Sequence, residues 1–179
     1  MKSSIKNFLS ALSAFLVPLI STLALVILLY LPRGDSYWNF LRQAPFYAGI
    51  YFWQSQRPDA FNFVSAFILG VFADVMGGVM LGINILSFLV LYLVSIFLSE
   101  RFNIKRFSYS WLLFSAALLS TMFFKGLIIS LFFRRLLPLN LLGIEFLLTL
   151  AVYPLLARVY IWIERHFIHL EERYEKVQS

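Results

Sequence analysis

The sequence contains no cysteine, and only 13% of its 179 residues are charged. The absence of cysteine excludes disulfide bonds, thiolate metal sites and cysteine nucleophiles. Soluble domains carry about 25% charged residues, whereas the hydrophobic fraction here is 61%. The composition therefore predicts a membrane protein. We expect its net charge of +6 to set topology and contact lipid headgroups rather than to bind nucleic acid.

Motifs of common enzyme classes are also missing. The sequence has no glycine-rich phosphate loop with a lysine, no H-E-x-x-H and no G-x-S-x-G. The cytoplasmic loops are too short to build a lipid-modifying site. His166 and His169 are three residues apart, but without acidic or cysteine neighbours we expect no metal site there. The prediction is a protein that is not an enzyme and that uses no cofactor.

Six apolar segments are candidate membrane spans, each near the ~20 residues that cross the hydrocarbon core as a helix. They lie at about 8–31, 37–53, 61–77, 80–99, 108–133 and 139–163. The first is too long for the ~7–15-residue core of a signal peptide. The predicted fold is all-α, a polytopic membrane protein with six transmembrane helices in residues 1–163 and a cytoplasmic helical tail in residues 164–179.

Basic residues in the loops predict the orientation, because lysine and arginine accumulate on the cytoplasmic side. Placing the N-terminus inside gives that side the larger set, which is Lys2, Lys6, Arg57, Arg101, Lys105, Arg106, Arg165, Arg173 and Lys176. The outer side then receives Arg33, Arg134 and Arg135, with Arg42 nearby. We therefore expect a multi-pass protein with both termini in the cytoplasm.

Asp74 is the only charged residue between Phe61 and Ser99. Inserting a carboxylate at bilayer depth costs about 2.5–3.5 kcal/mol on insertion scales, so such a residue is expected only where it is paired or has a function. Its helix face carries a strip of small residues, namely Ala66, Gly70, Ala73 and Gly77. Such strips let membrane helices approach closely, so we expect Asp74 to point into the bundle. Gly77-Gly78 is predicted to form the turn between the third and fourth spans.

Four of the charged residues within the predicted spans fall in the outer half of the membrane, given the helix rise of 1.5 Å per residue. They are Arg42, Asp74, Lys125 and Glu145, with Asn84 at the same level. Asp74 lies near the C-terminal end of its helix, where the dipole disfavours an anion. We therefore expect Lys125 or Arg42 as its partner. The layer is either a polar pocket open to the periplasm or a structural network that fixes helix register, and we favour the network.

An ordered motif surrounds Asp74. Arg57-Pro58 is followed by Phe67-x-x-Gly70-x-x-x-Asp74-x-x-x-Gly78-x-x-x-Gly82. This motif resembles the signature of the rod shape-determining MreD family, and the hydropathy layout extends the resemblance to nearly the whole chain. The resemblance implies a protein of the bacterial inner (cytoplasmic) membrane. Its structural or interaction residues would include Arg57, Pro58, Gly70, Asp74, Gly78 and Gly82.

The resemblance also implies a function and a fold. The function is a scaffold of the cell-wall elongation machinery that maintains rod shape. Its implied partners are the bitopic protein MreC, the actin-like MreB filament and the peptidoglycan synthase pair RodA and PBP2. The implied fold is similar to the six-helix substrate-binding component of energy-coupling-factor transporters. An alternative function therefore stays open, a small-molecule (vitamin-type) binding subunit of a membrane transporter.

Two surfaces are candidates for partner binding. The small-residue face of the third span offers a groove for a single-span partner helix, unless neighbouring spans occupy it. The tail offers a short a/d seam of Ile163, Phe167, Leu170, Tyr174 and Val177. That seam either meets a cytoplasmic partner or folds back on the protein's own loops. Aromatic residues form 18% of the chain, and many are expected to face lipid, with Trp38 and Trp53 at the membrane interfaces.

Overall fold

The computed structural model of the protein describes residues 2–30, 41–78, 80–102, 107–134 and 139–178. Side chains are described for residues 15–29, 41–78, 80–102, 109–132, 134 and 140–166. Trp38 and the seam residues beyond Ile163 therefore lie outside the described side chains.

Every regular element in these ranges is an α-helix, which confirms that the protein is all-α. The helices are α1 (Lys2–Tyr30), α2 (Ala44–Gln56), α3 (Phe63–Gly77), α4 (Ile83–Arg101), α5 (Phe107–Phe133) and α6 (Leu139–Gln178). The backbone of α6 continues as one helix through the predicted tail. The predicted helix break at Gly77-Gly78 is also present, because α3 ends there.

Three helical segments within the described residues are long and apolar enough to cross a membrane, as expected for a membrane protein. They are Ile83–Arg101, Tyr109–Phe132 and Asn140–His166. By contrast, α2 has 13 residues and α3 has 15. Their lengths are about 20 and 22 Å, which is shorter than the ~30 Å hydrocarbon core. The count of six spans therefore stays a prediction.

The second helix begins later than the sequence suggests. The predicted span started near residue 37, but a turn at residues 42–43 precedes α2 and the helix begins at Ala44. Pro45 lies in the first turn of α2, where a proline fits because its missing N–H has no helical acceptor. Arg42 consequently lies in the turn before α2, and its predicted place inside a helix is wrong.

Helix α2 is the centre of the fold. It contacts each of the other five described helices, which follow one another around it in the order α1, α3, α4, α5, α6. All its residues from Ala44 to Gln54 are buried. A helix that is apolar on every side is expected in a core or a membrane. Here the shortest described helix is the one that the rest of the bundle encloses.

Aromatic residues divide between this core and the outer surface. The largest fully buried side chains include Phe46, Tyr47, Tyr51, Phe61, Phe88, Phe114, Tyr153 and Tyr160. Phe114 and Tyr153 stack with ring centroids 3.9 Å apart, which joins α5 to α6. Trp53 is only 2% exposed, so its side chain lies in the protein core and does not face the lipid headgroups. It packs edge-on against Phe52 and Tyr160 instead.

A glycine allows α1, α2 and α6 to meet. A Cβ atom added to Gly49 would lie 2.6 Å from Thr22 Oγ1 and 2.8 Å from the Tyr160 hydroxyl. The Tyr160 hydroxyl donates a hydrogen bond to the Pro45 carbonyl at 2.9 Å. Because any larger residue at position 49 would displace these groups, Gly49 sets the closest approach between the three helices.

A proline in α6 is compensated by a neighbouring helix. Pro154 has no N–H, so the carbonyl of Leu150, four residues earlier, loses its usual helical donor. The indole Nε1 of Trp111 in α5 donates to that carbonyl at 3.2 Å. The proline therefore creates an acceptor that α5 uses.

Candidate functional site

The carboxylate of Asp74 binds the first turn of the following helix. Asp74 lies in the last turn of α3 and is only 1% exposed. Its Oδ2 accepts a hydrogen bond from the Gly82 N–H at 2.7 Å, and its Oδ1 accepts one from the Asn84 N–H at 2.9 Å. The Ile85 N–H makes a longer contact of 3.5 Å with Oδ2. Asp74 is thus the N-terminal cap of α4, supplied from another helix.

This arrangement explains how the bundle keeps a buried carboxylate. The N-cap position of α4 is Gly82, which has no side chain to bind the exposed N–H groups. Hydrogen bonds from N–H groups to a carboxylate are charge-assisted, and the helix dipole favours an anion at this end. The predicted pairing of Asp74 with Lys125 is therefore wrong, because Lys125 pairs with Glu145. The alternative partner, Arg42, forms no ion pair with Asp74 within the described residues. The unfavourable dipole of α3 is outweighed by direct contact with the N-terminus of α4.

The motif glycines build the hairpin that makes this contact possible. Gly78 (φ 59°) and Gly82 (φ 111°) both adopt left-handed backbone conformations that favour glycine. A Cβ atom added to Gly70 would lie 2.6 Å from the Ile85 Cα, so α3 and α4 pack backbone to backbone there. Gly70, Gly78 and Gly82 therefore bring the N-terminus of α4 to Asp74.

The small-residue strip is internal over most of its length, so of the two predicted possibilities the structure shows the one in which a neighbouring helix occupies the groove. Ala66, Gly70 and Ala73 are buried, while Gly77 at the end of α3 is exposed. Because Asp74 lies on the same face and binds α4, that face turns towards α4 rather than outwards. A partner helix would have to use another surface.

Asn84 is the least satisfied group in this region. Its backbone N–H binds Asp74, but its side chain is fully buried and neither amide atom has a hydrogen-bond partner among the described residues. The sequence placed Asn84 at the level of Asp74, and the structure does bring the two residues together.

A second polar cluster surrounds Lys125, which is 7% exposed. Its ammonium donates to the Gln43 side-chain oxygen at 2.7 Å, to the Tyr47 hydroxyl at 3.1 Å and to Glu145 Oε1 at 3.1 Å. An ammonium has three protons, so these three acceptors saturate it. The Tyr47 hydroxyl has two acceptors of its own, Gln43 at 3.0 Å and Glu145 at 3.4 Å.

The predicted charge layer is thus divided into separate groups. Lys125 and Glu145 form an ion pair between α5 and α6, while Asp74 binds the α3–α4 turn. Gln43 and Tyr47 belong to the ion-pair group but were not predicted, since uncharged residues give no signal in a search for intramembrane charges. Gln43 and Tyr47 are four residues apart, a spacing that puts side chains on one helical face. That spacing is the sequence feature from which their shared contact could have been predicted.

Arg57 and Pro58 lie at the opposite end of α2. Arg57 ends that helix, with its N–H bound to the Trp53 carbonyl at 2.8 Å. Its Nε lies 3.4 Å from Glu164 Oε1 of α6. Pro58 is exposed in the turn that follows. The Arg57–Glu164 ion pair is partly exposed and contributes little to stability. It connects α6 to the end of α2.

A cavity of about 810 Å³ opens at this same end. It lies between the last turn of α2, the turn before α3 and the last turns of α4, and its lining includes Gln54, Ser55, Phe61, Tyr92, Ser99 and Arg101. The sequence predicted a polar pocket, if any, at the other end near Lys125. No signal in the sequence pointed to this cavity, because its lining comes from segments far apart along the chain.

Within the described residues no group of three or more histidine, cysteine, aspartate or glutamate side chains could hold a metal ion. Apart from the Asn84 side chain, the described polar groups near Asp74 and Lys125 bind backbone and side chains of the protein itself. Comparisons of the chain with protein-family models, with curated proteins and with solved structures find no match.

Proposed function

We propose that the protein is a non-enzymatic scaffold of the MreD type in the bacterial inner membrane. It would maintain rod shape by binding an MreC-like bitopic protein and linking MreB to the synthases RodA and PBP2. The observation that carries the proposal is the joint action of four motif residues in one hairpin. They are Gly70, Asp74, Gly78 and Gly82. Motif residues that form one structural unit support the family resemblance better than the same residues would if they lay apart in the structure.

The helical architecture is compatible with this role. Three apolar helices offer large lipid-exposed surfaces, and α5 alone presents Leu112, Leu119, Phe123, Leu127 and Leu131 as exposed residues. Apolar surface gives no association by itself in lipid, so shape must select the partner. Because the α3 strip is internal, the MreC-like helix would dock on a different surface of the bundle.

The proposal is tested by depleting the protein in its rod-shaped host and by affinity purification from mild detergent. We expect depleted cells to become round and the purified protein to retain the MreC-like protein. Depleted cells that keep their rod shape, with no MreC-like protein in the purified sample, would contradict the proposal.

The cavity beside Gln54 and Tyr92 has a suitable size for a second candidate, a small-molecule binding subunit of a transporter, although the predicted orientation puts it at the cytoplasmic end of α4. Sites for small ligands commonly measure about 300–1,000 Å³, and this cavity is about 810 Å³. A transporter subunit predicts a different result in the same experiment. Depletion would abolish uptake of a vitamin-type nutrient without altering cell shape, and the purified sample would contain ATPase subunits.

A further inference from the structure

The cavity at the end of α2 has a polar floor that the protein leaves incompletely satisfied. Gln54 lines it and is 3% exposed, and its Oε1 atom has no hydrogen-bond partner among the described residues. The Gln54 Nε2 atom makes a long contact of 3.4 Å with the Ser99 hydroxyl oxygen. The neighbouring Ser55 Oγ, also in the lining, is likewise buried without a partner. Buried polar atoms normally have partners, and because these two atoms are out of reach of solvent, they make the floor polar without offering a ligand a direct hydrogen bond.

The rim of the cavity carries one charge of each sign. Glu100 and Arg101, the last two residues of α4, both belong to the lining and are exposed. The Arg101 guanidinium carbon lies 5.7 Å from the centroid of the Phe97 ring. A guanidinium binds phosphate through paired N–H groups, and a carboxylate binds an ammonium. The rim is therefore complementary to a zwitterion.

The wall of the cavity is apolar and extends away from this rim. Phe61, Tyr92 and Ile96 form part of it. Tyr92 precedes Arg101 by nine residues, which is about 14 Å along a helix. Beside the cavity, Phe97 and Phe102 are exposed to the surroundings of the bundle. Since α4 is one of the helices that can cross a membrane, the charged rim falls at the headgroup level and the apolar wall within the hydrocarbon.

We propose that this cavity binds one aminophospholipid, with an ethanolamine-type headgroup at the rim. The phosphate pairs with Arg101, and the ammonium donates to the Glu100 carboxylate. The upper parts of the acyl chains pack on Tyr92 and Ile96. An anionic headgroup without an amine would leave Glu100 facing a negative charge, so the site prefers the zwitterionic lipid. This inference does not depend on the scaffold proposal.

The test is a lipid titration of the delipidated full-length protein, followed by native mass spectrometry. The probes are phosphatidylethanolamine and phosphatidylglycerol with the same acyl chains. We expect one phosphatidylethanolamine to bind, about tenfold more tightly than phosphatidylglycerol, because charge-assisted hydrogen bonds distinguish the headgroups. Glu100→Gln should remove this preference, and Arg101→Gln should weaken both lipids. Both residues are at the surface, so neither variant depends on refolding of the core.

Arg158→Gln is the matched control, because Arg158 is an exposed arginine of α6 that does not line the cavity. It should bind both lipids as the unaltered protein does. Equal binding of the two lipids by the unaltered protein, or equal effects of Arg101→Gln and Arg158→Gln, would overturn the proposal. A photo-crosslinking amino acid in place of Ile96 gives an independent result. A lipid adduct supports the site, whereas a crosslink to a protein segment overturns it.

Discussion

Two buried charged groups, the Asp74 carboxylate and the Lys125 ammonium, are each held by several hydrogen bonds. The donors to Asp74 are backbone N–H groups, and the acceptors around Lys125 are side chains from α2 and α6. The two groups therefore depend on different parts of the structure. Asp74 depends on the shape of one turn, whereas Lys125 depends on the packing of three helices.

Replacing Asp74 by alanine should destabilise the protein by about 2 kcal/mol or more. This is the upper range for loss of a helix cap, because the lost hydrogen bonds are buried and charge-assisted. The free energy of unfolding can be measured by denaturant titration in detergent. Asp59→Ala, in an exposed turn, is the control and should change it by less than about 0.5 kcal/mol. Equal effects of the two substitutions would mean that Asp74 does not cap α4.

The Lys125–Glu145 pair should show strong coupling. Lys125→Met leaves a buried carboxylate without its cation, and breaking such a pair costs about 3–5 kcal/mol. The double variant Lys125→Met, Glu145→Leu should cost clearly less than the sum of the single substitutions, because it removes both charges. A double-mutant cycle of unfolding free energies measures this difference, and simple additivity would contradict the pairing.

At the scale of the elements, helices α3 and α4 pack backbone to backbone at Gly70. Gly70→Ala should destabilise the protein by about 1–3 kcal/mol, since the added Cβ would meet the Ile85 backbone and force α3 and α4 apart. Gly143→Ala in α6 is a matched control, because nothing lies within 4 Å of its added Cβ. That control should be neutral or stabilising by up to about 1 kcal/mol. If both variants unfold at the same denaturant concentration, α3 and α4 do not pack as closely at Gly70 as the structure indicates.

Helix positions were largely predictable, and the contacts between helices were not. The fifth predicted span, 108–133, nearly coincides with α5 (Phe107–Phe133), because the length of an apolar run is visible in the sequence. The partner of Asp74 was missed because it is a set of backbone N–H groups, which every residue except proline has. The role of Gly49 was missed for a similar reason, since a close approach depends on side chains from α1 and α6.

For the molecule as a whole, the orientation in the membrane can be tested directly because the chain contains no cysteine. We expect Met80→Cys, in the α3–α4 turn, to react with a membrane-impermeant maleimide in intact cells. Glu100→Cys, at the other end of α4, should react only after the membrane is permeabilised. Both native residues are exposed. Labelling of both cysteines from the same side would show that α4 does not cross the membrane.

The Asp74 cap has a consequence for synthesis of the chain. Gly82, Asn84 and Ile85 follow Asp74 by 8, 10 and 11 residues, so the carboxylate leaves the ribosome before its donors do. At about 5–20 residues per second this delay is roughly 0.5–2 s. During that interval α3 alone would carry an uncompensated carboxylate into the bilayer. For α3 as a predicted membrane span, we therefore expect the insertion machinery to hold it until the first turn of α4 arrives and to release the two helices into lipid together.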